Sequence, residues 1–214
     1  MKENYLKIIF VIDESGSMQG TESDVVGGFN HFIEEQKKAE FGKITVSLYK
    51  FNSQWSRVVN DLPIDEIRPL TSDDYTPGGL TALYDTIGNA IVDIQNQTHY
   101  TDPAHQASMV IMVVITDGQE NASVEYDSRK VKEMIGELEQ SKNWQFIYLG
   151  ADLKNLADAE TLGLNYKVSS RKSDLKQKFD VIAEHSVKIM MAEPSADQYT
   201  MMQDFVEDLG KEAD

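Results

Sequence analysis

The most informative absence from this 214-residue sequence is cysteine, which does not occur at all. The chain therefore forms no disulfide and no zinc site built on thiolates, and the lack of cysteine is consistent with a reducing compartment. The sequence also contains no internal repeat, no low-complexity segment and no interdomain linker. With a hydrophobic fraction of 41%, a chain of this length can bury a core without covalent cross-links.

Basic residues are scarce in comparison with acidic ones. The chain has 20 Lys and Arg against 36 Asp and Glu, which gives a formal net charge of -16. Binding to nucleic acid or to an anionic membrane surface needs clustered cations, so both partners are disfavoured. A basic partner or a bound cation fits the charge better, although acidity that only keeps the protein soluble is an alternative.

Long hydrophobic runs are absent as well. No segment is long enough to span a bilayer. Lys2 and Lys7 stand near an apolar run at the N-terminus, but Asp13 interrupts this run and no small-residue cleavage site follows, so we do not expect a secretory signal. The sequence therefore predicts a cytoplasmic protein.

What the sequence does contain is a regular alternation of strand and helix patterns. Strands are predicted at 5–12, 43–51, 55–62, 108–115, 144–149 and 164–168. Helices are predicted at 23–39 with Ser23 as N-cap, at 80–97, 127–140 and 153–159, after Ser173 as N-cap, and at 196–210. The most hydrophobic run, 108–115, should form the central strand.

This alternation predicts a doubly wound, Rossmann-like α/β fold with helices on both faces of a mostly parallel six-stranded sheet. Only a short turn at 52–54 separates the second and third strands. These two strands should therefore form a hairpin, with the third as an antiparallel edge strand. We expect one domain over residues 1–190 and a C-terminal amphipathic helix or tail over 191–214.

Polar side chains follow the ends of the apolar strands. Asp13, Ser15 and Ser17 come directly after the first strand, and Asp117 follows the central strand within Thr-Asp-Gly. Thr81 closes a Pro-Gly-Gly-Leu-Thr segment that should lie at the same edge of the sheet. In doubly wound sheets, ligands bind beyond the carboxyl ends of the strands. Three hydroxyls and two carboxylates at this edge are a credible ligand set for Mg²⁺ or Mn²⁺.

Simpler interpretations exist for each of these residues. Ser15 and Ser17 could cap a turn, Thr81 could be a helix N-cap, and Asp117 with its following glycine could form an ordinary turn. Neighbouring candidates are less convincing as ligands: Glu14 should point away, and Met18 is too soft for a hard cation. Three nearby acids lie outside the ligand set. Asp73 and Asp74 are interpreted as solvated loop residues, and Asp85 as a helix residue, with support of the metal ligands as the alternative role.

Three segments together resemble a known family. Asp-Glu-Ser-Gly-Ser-Met at 13–18, Gly-Leu-Thr-Ala-Leu-Tyr-Asp at 79–85 and Ile-Thr-Asp-Gly at 115–118 resemble the von Willebrand factor A domain. They match its complete metal-ion-dependent adhesion site, and the resemblance extends over roughly residues 5–190. It implies a bacterial or phage-type intracellular protein of this family. It also implies Ser15, Ser17 and Thr81 as hydroxyl ligands, and Asp13 and Asp117 as acids that hold metal-bound waters. One coordination position would then remain for a carboxylate of a partner.

The resemblance implies a non-enzymatic, metal-dependent protein-binding module, and an AAA+ ATPase or an assembly complex is a candidate partner. The alternative is a Mg²⁺-dependent phosphatase or phosphotransferase with Asp13 as nucleophile. Against it, Ser15 stands where a second acid is expected, and the three loops carry no lysine or arginine to hold a phosphate. A third hypothesis is a structural domain whose site has lost its role.

Overall fold

The computed structural model describes residues 5–38, 42–141, 143–150, 156–169, 174–191 and 198–210. The strands are β1 (Tyr5–Asp13), β2 (Lys43–Phe51), β3 (Trp55–Pro63), β4 (Met109–Thr116), β5 (Trp144–Gly150) and β6 (Tyr166–Ser169). The helices are α1 (Glu22–Lys38), α2 (Leu83–His99), α3 (Ser128–Gln140), α4 (Leu156–Thr161), α5 (Leu175–Met191) and α6 (Gln198–Gly210). The predicted cap Ser173 lies outside the described residues.

The six strands form one sheet in the order β3-β2-β1-β4-β5-β6. All neighbouring pairs are parallel except β2 and β3, which pair antiparallel and place β3 at one edge. The predicted doubly wound α/β fold with an antiparallel edge strand is confirmed, and β4 lies at the centre beside β1, as predicted.

The sheet is covered on both faces because its central strands are apolar at nearly every position. Alternate residues of β1 enter two separate core clusters, one on each face, as the two-residue period of a strand requires. Helices α1, α5 and α6 cover one face, and α2, α3 and α4 cover the other. None of the helices in the described part of the chain combines the length and apolar character that crossing a bilayer requires.

Two predicted helix starts are wrong. Helix α1 begins at Glu22, one residue before the predicted cap Ser23, because the main-chain oxygen of Thr21 accepts hydrogen bonds from the amides of Asp24 (3.0 Å) and Val25 (2.9 Å). Helix α2 begins at Leu83 rather than at residue 80.

The late start of α2 has a physical cause in the neighbouring loops. The amide of Leu80 donates to Ser53 Oγ (2.9 Å), and the amide of Ala82 donates to the main-chain oxygen of Asn52 (2.7 Å). The amide of Thr81 between them donates to Asn121 Oδ1 (2.9 Å). Since contacts from outside the helix hold all three amides, residues 80–82 remain a loop, and Ala82, not Thr81, occupies the N-cap position.

Candidate metal centre

The carboxyl ends of β1 and β4 meet at the topological switch point of the sheet. Ile12 pairs with Ile115, and the polar segments 13–17 and 116–118 begin at the last residues of these strands. The chain turns from β1 to β2 on one side and returns to β4 on the other, so a crevice opens between the two central strands. This crevice is where the sequence predicts the metal site.

Asp13 joins the loops that follow β1 and β4. Its Oδ1 accepts a hydrogen bond from the amide of Ser15 (2.6 Å), and its Oδ2 accepts from Thr116 Oγ1 (2.6 Å) and from the amide of Gly118 (3.2 Å). The side chain is fully buried. Burial raises the pKa of the Asp13 carboxyl, hydrogen bonds from Thr116 and Ser15 oppose this, and the charge of Asp117 adds to it.

The predicted hydroxyl donors converge on the same place. Ser15 Oγ lies 2.9 Å from Ser17 Oγ. A methyl group added to Gly118 would lie 2.7 Å from Thr81 Oγ1, 2.9 Å from Asp13 Oδ2 and 3.1 Å from Ser15 Oγ. Oxygen atoms from three separate loops therefore surround one point, and the glycine keeps a side chain from filling it.

Both the amide and the oxygen of the Thr81 main chain form hydrogen bonds with residues 121–122. The amide of Thr81 donates to Asn121 Oδ1 (2.9 Å), and the oxygen of Thr81 accepts from the amides of Asn121 (3.0 Å) and Ala122 (3.2 Å). Because Asn121 stands in the loop that continues from Asp117, this contact fixes the second predicted loop against the third.

Two main-chain hydrogen bonds join the loop after β1 to the glycine-rich segment. The amide of Gly16 donates to the oxygen of Gly79 (3.2 Å), and the amide of Gly78 donates to the oxygen of Glu14 (2.8 Å). Gly79 has a φ of +82°, a conformation that side-chain-bearing residues rarely adopt, and an added methyl group would lie 2.8 Å from Ser53 Oγ. Only glycine fits this position.

The loop after β1 is also held by contacts outside the oxygen cluster, from Tyr75 and from an ion pair between Glu14 and Lys50. The hydroxyl of Tyr75, which is buried, donates to the main-chain oxygen of Asp13 (2.5 Å). Burial raises the pKa of Tyr75 far above its usual value, so this donor stays protonated. Glu14 Oε1 lies 2.8 Å from Lys50 Nζ and also accepts from the amide of Thr76 (2.5 Å). As predicted, Glu14 points away from the oxygen cluster.

Two further acids shape the loop after β4. Asp85, predicted as a helix residue with a supporting role at the site as the alternative, accepts hydrogen bonds from the amides of Val124, Glu125 and Tyr126 at 2.7 to 2.8 Å. Glu120 accepts from the amide of Tyr84 (2.9 Å) at the start of α2. The N-terminus of α2 and the loop after β4 are therefore tied together in both directions.

The prediction that Asp74 is a solvated loop acid is wrong. Its carboxylate pairs with Arg68 (2.6 Å) and accepts hydrogen bonds from the amide and hydroxyl of Thr71 (2.7 and 2.8 Å) in a capping box. The hydrogen bond from Arg68, and then those from Thr71, hold the pKa of Asp74 well below its usual range. Asp73 is exposed, as predicted.

The structure thus brings Asp13, Ser15 and Thr81 together around Gly118, with Ser17 beside Ser15. Asp117 is half-buried in the adjoining turn. The ligand roles of these five residues stay predictions. Simple turn capping does not explain Ser15, because the 3₁₀ turn at 16–18 that it precedes receives no hydrogen bond from its side chain.

Sequence reasoning missed the supporting residues Thr116, Tyr75 and Asn121. Thr116 was recognised only as part of a polar strand end, although a hydroxyl directly before an acid at the end of a central strand is a usable signal. Asp85 belongs to the 79–85 segment that resembles the family, but its partners could not be predicted. Like the partners of Tyr75 and Asn121, they are distant in sequence, as the 40 residues between Thr81 and Asn121 illustrate.

The donor chemistry fits a hard divalent cation. The described residues contain no group of three or more His, Cys, Asp or Glu side chains that could hold a metal ion. A cation at this site would therefore depend on hydroxyl oxygens together with two carboxylates, which are the oxygen donors that Mg²⁺ and Mn²⁺ accept.

The fold is that of a doubly wound α/β protein. Its candidate site lies at the carboxyl ends of the central strands, in the loops after β1 and β4. The chain belongs to the von Willebrand factor type A domain family: the sequence model of that family matches residues 7–205. No curated protein matched the chain in a sequence comparison.

Several solved structures share the fold. Proximal thread matrix protein 1 from the mussel byssus is 15% identical (TM-score 0.51; 86% of this chain and 46% of that chain covered). The PilB minor pilin from Streptococcus sanguinis is 14% identical (TM-score 0.62; 89% and 63% covered). The vWF domain of the type V pili tip protein Mfa5 from Porphyromonas gingivalis is 10% identical (TM-score 0.59; 90% and 99% covered). This chain spans about half of the mussel protein, and identities this low establish the fold alone.

Proposed function

We propose that this protein is a non-catalytic binding module that holds a divalent cation, Mg²⁺ or Mn²⁺, in the crevice beside Gly118. Ser15, Ser17 and Thr81 would bind the cation through their hydroxyl oxygens, and Asp13 and Asp117 would hold its water molecules. The bound cation would supply a positive charge that accepts a carboxylate oxygen of a partner protein. Domains of this family commonly mediate protein interactions or adhesion, which supports such a role.

The observation that carries this proposal is the convergence of oxygens from three loops on the space beside Gly118. Hydroxyl ligands are neutral, so they leave much of the charge of a divalent cation uncompensated. Such a cation attracts an acidic group from outside, and Mg²⁺ exchanges one position readily because it usually retains waters.

Asp13 favours the binding role over the enzymatic alternative, a phosphatase or phosphotransferase. A nucleophile must reach a substrate, whereas the Asp13 side chain is fully buried and both of its oxygens accept hydrogen bonds from neighbouring loops. These contacts fit a carboxylate that organises the site.

An AAA+ ATPase partner and a cytoplasmic location stay predictions. Two of the similar structures are pilus proteins by name, so a partner at the cell surface is worth testing beside an intracellular one. A pull-down from lysate in Mg²⁺ and in EDTA would identify partners whose binding depends on a metal.

The metal site itself is tested by calorimetric titration with MgCl₂ and MnCl₂. We expect saturable binding by the wild-type protein and a loss of affinity of about 10–100-fold or more in the Ser15→Ala, Ser17→Ala double variant. Ser56→Ala, at an exposed position of β3, is the matched control and should bind like the wild type. No saturable binding by the wild type, or equal binding by the double variant, would refute the proposal.

The enzymatic alternative has its own test. Hydrolysis of p-nitrophenyl phosphate in Mg²⁺ should be absent. Turnover that disappears in Asp13→Asn would contradict a non-catalytic role.

A further inference from the structure

Two bulky apolar side chains are exposed on the loops that build the candidate metal centre. Leu80 is 54% exposed and directly precedes Thr81, and Val124 is 94% exposed in the loop that continues from Asp117. The loops meet here, since the oxygen of Thr81 accepts a hydrogen bond from the amide of Ala122 (3.2 Å), two residues before Val124. Leu80 and Val124 together are called the apolar rim below.

The main chain holds the apolar rim in place. The amide of Leu80 donates to Ser53 Oγ (2.9 Å), and the preceding Gly79 fixes the turn with its positive φ. The amide of Val124 donates to Asp85 Oδ2 (2.8 Å), whose carboxylate also binds the next two amides. An apolar side chain on a fixed backbone loses little further conformational entropy when a partner covers it, which favours binding.

The charge of the surrounding loops restricts the partner. Residues 13–22, 76–84 and 116–128 contain seven acidic residues and no lysine or arginine. A partner with several clustered acids would be repelled by these loops and by the net charge of -16. One carboxylate can be matched by one cation. A further acid in the partner would face the seven carboxylates of these loops, and the basic side chains nearest to Val124 are Arg129 and Lys130, which line the same pocket.

From these observations we propose that the site binds a partner segment in which a single acidic residue is flanked by aliphatic side chains. The carboxylate of this segment faces the cation, and its aliphatic neighbours pack on Leu80 and Val124. This inference rests on the proposed metal-dependent function and adds the sequence chemistry of the partner.

Three synthetic peptides test this proposal: acetylated and amidated Gly-Leu-Asp-Leu-Gly, Gly-Ser-Asp-Ser-Gly and Gly-Glu-Asp-Glu-Gly. Each is titrated into the ¹⁵N-labelled full chain in saturating MgCl₂, and its dissociation constant is measured from amide chemical shifts. We expect the leucine-flanked peptide to bind about tenfold more tightly than the serine-flanked one, as the burial of aliphatic surface predicts. The glutamate-flanked peptide should bind most weakly.

The Leu80→Ser, Val124→Ser double variant should remove the preference for leucine and leave binding of the serine-flanked peptide unchanged. Leu62→Ser is the matched control, because Leu62 is also exposed but pairs with Val46, away from the end of β2 that adjoins Asp13. This control should keep the tenfold preference.

The outcomes separate this inference from the function on which it rests. If the peptides bind in Mg²⁺ and not in EDTA but show no preference for leucine, the metal-dependent function stands and the apolar rim inference is wrong. If no peptide binds although calorimetry shows saturable Mg²⁺ binding, the inference is overturned and the metal site stands. If peptide binding persists in EDTA, both are overturned. A preference for leucine that survives in the rim double variant would also overturn the inference.

Discussion

At the scale of single residues, Gly118 is the position on which the candidate site depends most directly. Its missing side chain leaves the space that Thr81 Oγ1, Asp13 Oδ2 and Ser15 Oγ surround. The same glycine contributes its amide to Asp13. A residue that both shapes the crevice and supports its central carboxylate tolerates little change.

We expect Gly118→Ala to abolish Mg²⁺ binding, because the added methyl group would lie 3.1 Å or less from all three surrounding oxygens. The crowding should also lower the free energy of unfolding by about 1–3 kcal/mol. Calorimetric titration and urea unfolding would measure the two effects.

The matched control is Gly136→Ala in helix α3. Nothing lies within 4 Å of the added carbon there, so stability should rise by up to about 1 kcal/mol. Wild-type Mg²⁺ affinity in Gly118→Ala would show that the cation binds elsewhere.

At the scale of elements, the site depends on how the start of α2 and the loop after β4 hold each other. Asp85 on α2 accepts three consecutive amides of the loop, and Glu120 in the loop accepts the amide of Tyr84 on α2. These carboxylates satisfy main-chain donors that would otherwise have no partner at a helix start and in a loop. These hydrogen bonds therefore connect the loops that carry Thr81 and Asp117 into one hydrogen-bonded unit.

Replacement of Asp85 by asparagine should loosen this unit. The carboxamide introduced by Asp85→Asn would place an N–H donor against backbone donors, and stability should fall by on the order of 2–3 kcal/mol. Hydrogen exchange should accelerate at the amides of Val124, Glu125 and Tyr126, while the amides of β4 stay protected. Gln95→Ala, on the exposed face of α2, is the control and should change neither quantity. If exchange at the three loop amides were unchanged in Asp85→Asn, the carboxylate of Asp85 would not be what holds this loop to α2.

The elements also show what a sequence can and cannot predict. The strands were predictable because β1 and β4 are apolar at nearly every position, and the edge position of β3 followed from a turn too short for a crossover. The true start of α2 was not, since contacts from Asn52, Ser53 and Asn121 decide it. Likewise, the motif identified Asp13, but its partner Thr116 is 103 residues away, and only the register of β1 against β4 brings them together.

At the scale of the whole molecule, helix α6 shares the core of the sheet. Phe205 and Leu209 are fully buried in the same cluster as Phe10 of β1 and Phe179 of α5. The ring of Phe205 stacks on His185 with 4.7 Å between centroids, and His185 Nε2 lies 2.8 Å from Asp208 Oδ2. Helix α6 is thus attached to α5 through both an apolar and a polar contact.

Because one cluster joins α6 to the sheet, we expect the described elements to unfold together. Phe205→Ala should lower stability by about 3–5 kcal/mol and the midpoint of thermal unfolding by about 10 °C, still in a single transition. Circular dichroism at 222 nm and tryptophan fluorescence should report the same midpoint, since Trp144 lies on β5, in the cluster on the opposite face of the sheet. Glu207→Ala, exposed on α6, should change stability by no more than about 0.5 kcal/mol. If instead Phe205→Ala lost part of its helical signal at low temperature while the fluorescence midpoint stayed at the wild-type value, α6 would be a separately folding appendage.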